Sequence, residues 1–110
     1  MIEIAVKDIE RVCDVQRKSG DENRICKGCV IDSRQVQPDS IFVAFSGERV
    51  DGNSFAPAAI EAGAGAVVLT VEPAVDLIDL ANEHGCALFT CEDPMEFLLS
   101  LAHDYRMSLD

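Results

Sequence analysis

Positive charge is scarce in this sequence: nine Lys and Arg stand against 20 Asp and Glu, for a formal net charge of −11. That balance argues against a nucleic-acid partner, because tracking phosphates takes a basic face. An anion can still be held, but only by local arginines and backbone amides working against the overall field. Long apolar runs are missing too. None reaches the roughly 18 residues needed to cross a bilayer, and Met1-Ile2-Glu3 is not the basic start of a signal peptide, so no membrane association is expected and the cytoplasm is the expected location. There is no G-x-x-x-x-G-K-[ST] loop, and Gly63-Ala64-Gly65 neither follows a strand nor completes a dinucleotide fingerprint. No nucleophile stands beside a base: Asp32, Glu48 and Asp51 offer carboxylates only, and His84 and His103 are isolated near helix ends, where structural or surface roles are expected. These absences leave a binding domain without a catalytic centre, and no internal repeat or low-complexity segment suggests anything else.

The five cysteines, Cys13, Cys26, Cys29, Cys86 and Cys91, are an odd number in a chain with no export signal, which reads as reduced thiols. Cys26-Lys27-Gly28-Cys29 has zinc-knuckle spacing, and Cys86 with Cys91 could complete a four-sulfur site. Small thiols half-buried in strands are the simpler reading, since Cys86 and Cys91 bracket a strand-like run.

With 110 residues, 48% of them hydrophobic, the chain is long enough for one domain, residues 1–110, with its own core. Val6, Ile9, Val12 and Cys13 share one face of an amphipathic helix over 6–15. Ser19 to Asn23 is a polar turn between two short strands, the second running from Ile25 to Ile31. Pro38 marks a loop before the strand Ile41 to Phe45. Asn53 or Ser54 caps a helix that carries Pro57 in its first turn and ends at Gly63. Ala64 to Thr70 leads into a buried strand, 75–84 form a helix ended by Gly85, and 86–90 form another strand. Asp93-Pro94-Met95-Glu96 is an N-cap, a first-turn proline and a capping-box partner. It opens a final helix whose buried stripe is Phe97, Leu98, Leu101, Ala102 and Tyr105. Helices alternating with strands imply crossover connections and some parallel pairing, hence the α/β class: a small mixed-sheet sandwich of about four strands with three or four helices.

The chain is organised around Asp32-Ser33-Arg34 through Phe55. Two polar loops flank the apolar strand, and the second, Ser46 to Asn53, runs straight into a helix. A loop at the carboxyl end of a strand and the amino end of a helix is where open α/β sheets bind anionic ligands. A hydroxyl beside a guanidinium suits a phosphate or a uracil edge, because serine donates or accepts and arginine offers a planar fork. The alternative is plain turn chemistry: Asp32 accepts backbone amides, Arg34 is solvated, and the glycines only make turns. Arg24, Lys27, Arg34 and Arg49 fall near this stretch in sequence and would supply its positive charge.

Asp32-Ser33-Arg34, then Pro38, Ile41-Phe42-Val43-Ala44, Gly47, Asp51-Gly52, Phe55, Ala59 and Gly63-Ala64 resemble the amino-terminal domain of the Mur ligases. The resemblance spans about residues 25 to 106 and is most specific from 32 to 64. It implies an ATP-dependent, amide-bond-forming ligase that extends the peptidoglycan stem peptide on a UDP-N-acetylmuramoyl precursor. Gly47 to Gly52 and the helix from Asp93-Pro94 to Tyr105-Arg106 most resemble the MurF type, which adds D-alanyl-D-alanine. The ligase that adds the third, diamino acid residue shares most of the pattern. In such enzymes the first domain holds the UDP end of the UDP-N-acetylmuramoyl-peptide, the central domain binds ATP and magnesium, and the last delivers the amino compound. By motif position, Ile31 and Ser33 contact the uridine end, and Gly47 with Glu48-Arg49-Val50 closes over the nucleotide through backbone groups. Arg34 and Asn53 are added from their chemistry. No catalytic residue, metal ligand or cofactor site is implied within these residues, and the chain is expected to be a domain of a longer ligase, inactive without the ATP-binding domain.

Two departures stand out. The family often has histidine after Asp-Gly where this chain has Asn53, and Pro-Gly where it has Pro38-Asp39. A stand-alone nucleotide-binding or interaction module that kept the fold without the chemistry is the alternative from another class.

Overall fold

The computed structural model describes residues 3–45 and 51–109, with side chains of the last helix described as far as residue 103. In order, the elements are β1 (Glu3–Ala5), α1 (Val6–Val12), β2 (Gln16–Ser19), β3 (Ile25–Lys27), β4 (Cys29–Val30), β5 (Ile41–Val43), α2 (Ala56–Glu61), β6 (Ala66–Leu69), α3 (Val75–Glu83), β7 (Ala87–Thr90) and α4 (Pro94–Leu109). The main sheet has the order β2-β7-β6-β5-β4. Strands β4 to β7 are parallel, and β2 is an antiparallel edge on β7. β1 and β3 form a separate two-stranded sheet.

The sheet is covered on both faces, and alternation along each strand sorts the core into two layers. Ile41, Val43, Ala66, Val68, Ala87 and Phe89 pack with Val6 and Ile9 of α1 and Phe97 and Leu101 of α4. Phe42, Val67, Leu69 and Leu88 pack on the other face with Ala56, Ala59 and Ile60 of α2 and Ala81 of α3. The result is the expected mixed α/β sandwich, with more strands than sequence reading gave it. α1 stops at Val12 because the next residues turn to start β2. The run from Ile25 splits at Gly28, whose φ of +80° breaks the strand and sends β3 and β4 to different sheets. Cys26 and Cys29 therefore lie on strands of different sheets. Among the described residues no group of three or more His, Cys, Asp or Glu is placed to hold a metal ion. The five cysteines form no disulfide with one another. Burial pushes Cys26 up to about 11 and Cys29 and Cys86 up to about 12, so these are neutral core groups.

Two helices end alike. Gly63 (φ +103°) and Gly85 (φ +68°) adopt the left-handed conformation beyond α2 and α3. The Ala64 amide donates to the Ala59 carbonyl and Gly63 to Ile60, while Cys86 donates to Ala81 and Gly85 to Asn82, which is the paired bonding of a Schellman motif. Each chain reversal feeds directly into a buried parallel strand. At α4 the Asp93 Oδ1 accepts the Met95 and Glu96 amides (3.0 and 3.3 Å), as the sequence predicts. Phe97 and Leu101 are buried in the stripe, but Ala102 is exposed, and Tyr105 lies beyond the described side chains. Among the described residues no helix is long and apolar enough to cross a membrane.

The Pro38-Asp39 departure is accommodated locally. The Ser40 amide donates to the Gln37 carbonyl (3.0 Å) across a turn with Pro38 second and Asp39 third. Asp39 takes a φ of +73°, a conformation glycine adopts freely. Its carboxylate meets Arg24 Nη2 at 2.9 Å, both side chains about one third exposed. Asp39→Asn tolerates the same backbone but removes the charge. It is expected to cost about 0.5–1 kcal/mol in urea denaturation, an effect that disappears in an Arg24→Gln background.

Candidate functional site

Because β4 to β7 run parallel, their carboxyl ends share one edge of the sheet, and both loops singled out in the sequence emerge there. β4 leads through Ile31 and Asp32 into a 3-10 turn at Ser33–Gln35. β5 leads through Ala44 to Phe45; the chain is next described at Asp51, followed by a second 3-10 turn at Gly52–Phe55 that opens α2. Ile31, Asp32, Ser33, Arg34, Phe45, Gly52 and Phe55 together line a cavity of about 530 Å³.

Asp32 organises the first wall. Its Oδ1 accepts the Arg34 amide (2.9 Å), capping the turn. Its two oxygens also accept from Arg34 Nε (3.1 and 3.2 Å), and Oδ2 from Nη2 (2.8 Å). Hydrogen bonding by the Arg34 side chain holds the Asp32 carboxyl down at about 2, so the pair stays ionised at neutral pH. The guanidinium is orientated yet 87% exposed, and Nη1 remains for another acceptor. The turn chemistry expected of Asp32 is therefore present, and it orientates the Arg34 guanidinium as well.

The second wall is held differently from expectation. Neither Asn53 nor Ser54 caps α2, whose N-cap is Phe55 with no side-chain bond; Asp51 caps the preceding 3-10 turn, its Oδ1 accepting the Asn53 amide (3.0 Å) and its carbonyl the Ser54 hydroxyl (2.7 Å). Asn53 does not line the cavity. Its Nδ2 donates to Asp51 Oδ1 and to Thr70 Oγ1, both at 2.8 Å, and its Oδ1 accepts the Thr70 amide at 2.9 Å. The carboxamide proposed from chemistry as a ligand contact thus tethers the loop to the end of β6. Gly47, Glu48, Arg49 and Val50 lie outside the described residues.

Of the four cations expected near this stretch, Arg24 and Lys27 do not join Arg34, and Arg49 lies outside the described residues. Arg24 pairs with Asp39 and Lys27 sits in β3 against Glu3, both toward the amino end of β5, whereas the cavity is at its carboxyl end. Closeness in sequence misled here because β4 crosses the sheet between Lys27 and Arg34. Sequence reading also gave no binding role to Phe45 and Phe55, which line the cavity; the signal available was an aromatic at each end of the second loop. Farther along the same edge a cleft of about 350 Å³ is lined by Asp14, Glu72 and Glu92, with Gln16, Thr70 and Thr90. Its carboxylates make it a poor seat for an anion.

Residues 26–105 match the family described as "Mur ligase family, catalytic domain". Over 74 residues, 67% of this chain and 14% of the relative, the sequence is 39% identical to UDP-N-acetylmuramoyl-L-alanyl-D-glutamate--2,6-diaminopimelate ligase of Haemophilus influenzae. Among solved structures, MurF from Acinetobacter baumannii superposes with a TM-score of 0.73 at 17% identity, covering 92% of this chain and 20% of that one. MurF ligase from Thermotoga maritima, in complex with ADP, gives 0.57 at 26% identity, covering 71% and 16%. This chain therefore spans a small part of the relatives it matches, and the likeness to the Acinetobacter protein is one of fold. With a family match over most of its length, the chain belongs to the Mur ligase family.

Proposed function

We propose that this chain is the domain that anchors the UDP end of a UDP-N-acetylmuramoyl-peptide in a longer, ATP-dependent, amide-bond-forming ligase of peptidoglycan precursor synthesis. The observation that carries the reading is the convergence of Ile31, Ser33 and Arg34 with Phe45, Gly52 and Phe55 on one cavity at the carboxyl edge of the parallel strands. Ser33 presents a hydroxyl and Arg34 a pre-orientated guanidinium to the uridine and pyrophosphate. Gly47, Glu48, Arg49 and Val50 would complete the site from the loop between Phe45 and Asp51, outside the described residues. The residues here do not fit ATP and magnesium, for the sequence has no P-loop and its described carboxylates form no metal cage. Those ligands belong to the remainder of the ligase, without which this domain anchors substrate and catalyses nothing. The cytoplasm, where the precursor is made, is the proposed location.

The ligase that adds the third, diamino acid residue is favoured, since relatives at 39% and 38% identity carry that name. The D-alanyl-D-alanine-adding type is the second reading, supported by 26% identity to the Thermotoga ligase. Turnover of the longer protein with diaminopimelate against D-alanyl-D-alanine decides between them.

Anchoring itself is tested by nitrogen-proton NMR titration of this chain with UDP-N-acetylmuramoyl-L-Ala-D-Glu. Saturable shifts are expected at 31–34, 45 and 51–55, with Ser33→Ala weakening binding about threefold to tenfold. Shifts confined to other surfaces, or none at millimolar ligand, would overturn the reading.

A further inference from the structure

Two large apolar side chains stand out of place at this cavity: Ile31 is 57% exposed and Phe55 41% exposed, while the Phe and Ile residues of β5 are buried. Both line the same cavity as the Ser33 hydroxyl and the Arg34 guanidinium. Burying either would have been favourable, and an isolated exposed apolar residue needs no explanation. A pair of them bordering one cavity, beside an orientated cation and a hydroxyl, matches a ligand with a flat apolar face, a hydrogen-bonding edge and an anionic tail. A nucleotide has that composition. The seat of Phe55 is also fixed before any ligand arrives. It ends a 3-10 turn whose start is capped by Asp51 and whose second residue, Asn53, is tethered to Thr70 at the end of β6. An aromatic ring on such a support loses little freedom when a base stacks on it.

We infer that Phe55 is the stacking wall for the uracil ring, with Ile31 as the second apolar wall, and that Ser33 and Arg34 serve the polar remainder of the nucleotide. The inference rests on the anchoring reading and adds to it the residue that takes the base.

The test is ligand-observed proton NMR and calorimetry with UDP-N-acetylmuramoyl-L-Ala-D-Glu and with ribose 5-phosphate, on the wild-type chain, Phe55→Leu and Phe55→Tyr. Thermal melts first establish that each variant is folded. In the wild type, uracil H5 and H6 should move upfield from the ring current. Phe55→Leu should abolish that shift and weaken the UDP substrate about tenfold, with Phe55→Tyr restoring both. Ribose 5-phosphate, which has no base, should bind both variants as it binds the wild type. If the UDP substrate binds the wild type and the Leu variant alike, or the uracil protons do not move on binding, the stacking role is overturned while anchoring survives. If Phe55→Leu weakens ribose 5-phosphate equally, Phe55 shapes the cavity and does not contact the base. Absence of any binding of the UDP substrate would overturn both readings.

Discussion

Gly52→Ala is expected to destabilise the chain by about 2–4 kcal/mol and to weaken nucleotide binding by more than tenfold. A Cβ at Gly52 would overlap the Phe45 carbonyl oxygen and come within 2.6 Å of the Phe45 amide nitrogen and 2.9 Å of its carbonyl carbon. All three are backbone atoms, so no side chain can rotate away. Neither partner is free to retreat. The residue before Phe45 is held to β6 by the Ala44 amide on the Val68 carbonyl (2.9 Å), and the residue after Gly52 is held to Thr70. A methyl group here must lengthen one of those bonds or push the 3-10 turn off the strand. Both Phe45 and Gly52 line the cavity, so the displacement passes directly into the site. Urea denaturation and titration with the UDP substrate read the two effects. An alanine variant within about 0.5 kcal/mol of wild type would show that the turn sits farther from β5 in solution.

What was legible in the sequence follows the range of the interactions involved. The α/β alternation, the caps at Asp93 and Gly63 and the buried strand at Ile41 depend on neighbours a few residues away, and periodicity records them. The break at Gly28 was hidden because a glycine between two cysteines also reads as a zinc-knuckle spacing. The misplaced cations show the same limit from the other side. Arg24 and Lys27 lie only a few residues before Arg34, but β4 runs between them from the amino edge of the sheet to its carboxyl edge. Phe55 was visible as part of a family-like pattern and invisible as a surface residue, since a phenylalanine before a helix is equally at home in a core. The Asn53 tether was hidden for a related reason: its partner Thr70 is 17 residues away.

That pairing gives the second large effect. Asn53→Ala should cost about 2–4 kcal/mol, more than an ordinary surface amide, because one carboxamide satisfies three groups. Its loss leaves the half-buried Thr70 amide without this acceptor and removes the donor that sits between the Asp51 and Thr70 oxygens. Thr70→Val removes only the hydroxyl acceptor and should cost about 1 kcal/mol. In the double variant the two costs should fall short of their sum, since both delete the same contact. Asn53→Asp is the sharper probe. It keeps the acceptor for the Thr70 amide but sets a second carboxylate against Asp51 Oδ1, where the native bond is 2.8 Å. Two carboxylates so close hold one proton above the ordinary carboxylate range. The sign follows from that rise: this variant should be near wild-type stability in acid and lose stability as pH climbs through the raised value, whereas the alanine variant stays destabilised throughout. A flat difference between Asn53→Asp and wild type from pH 4 to 8 would mean that the Asp51 and Asn53 side chains do not meet in solution. Asn53→His, the residue common in the family at this place, carries a donor and an acceptor and should recover part of the alanine loss. That recovery would show that the side chain at this position holds the turn to β6.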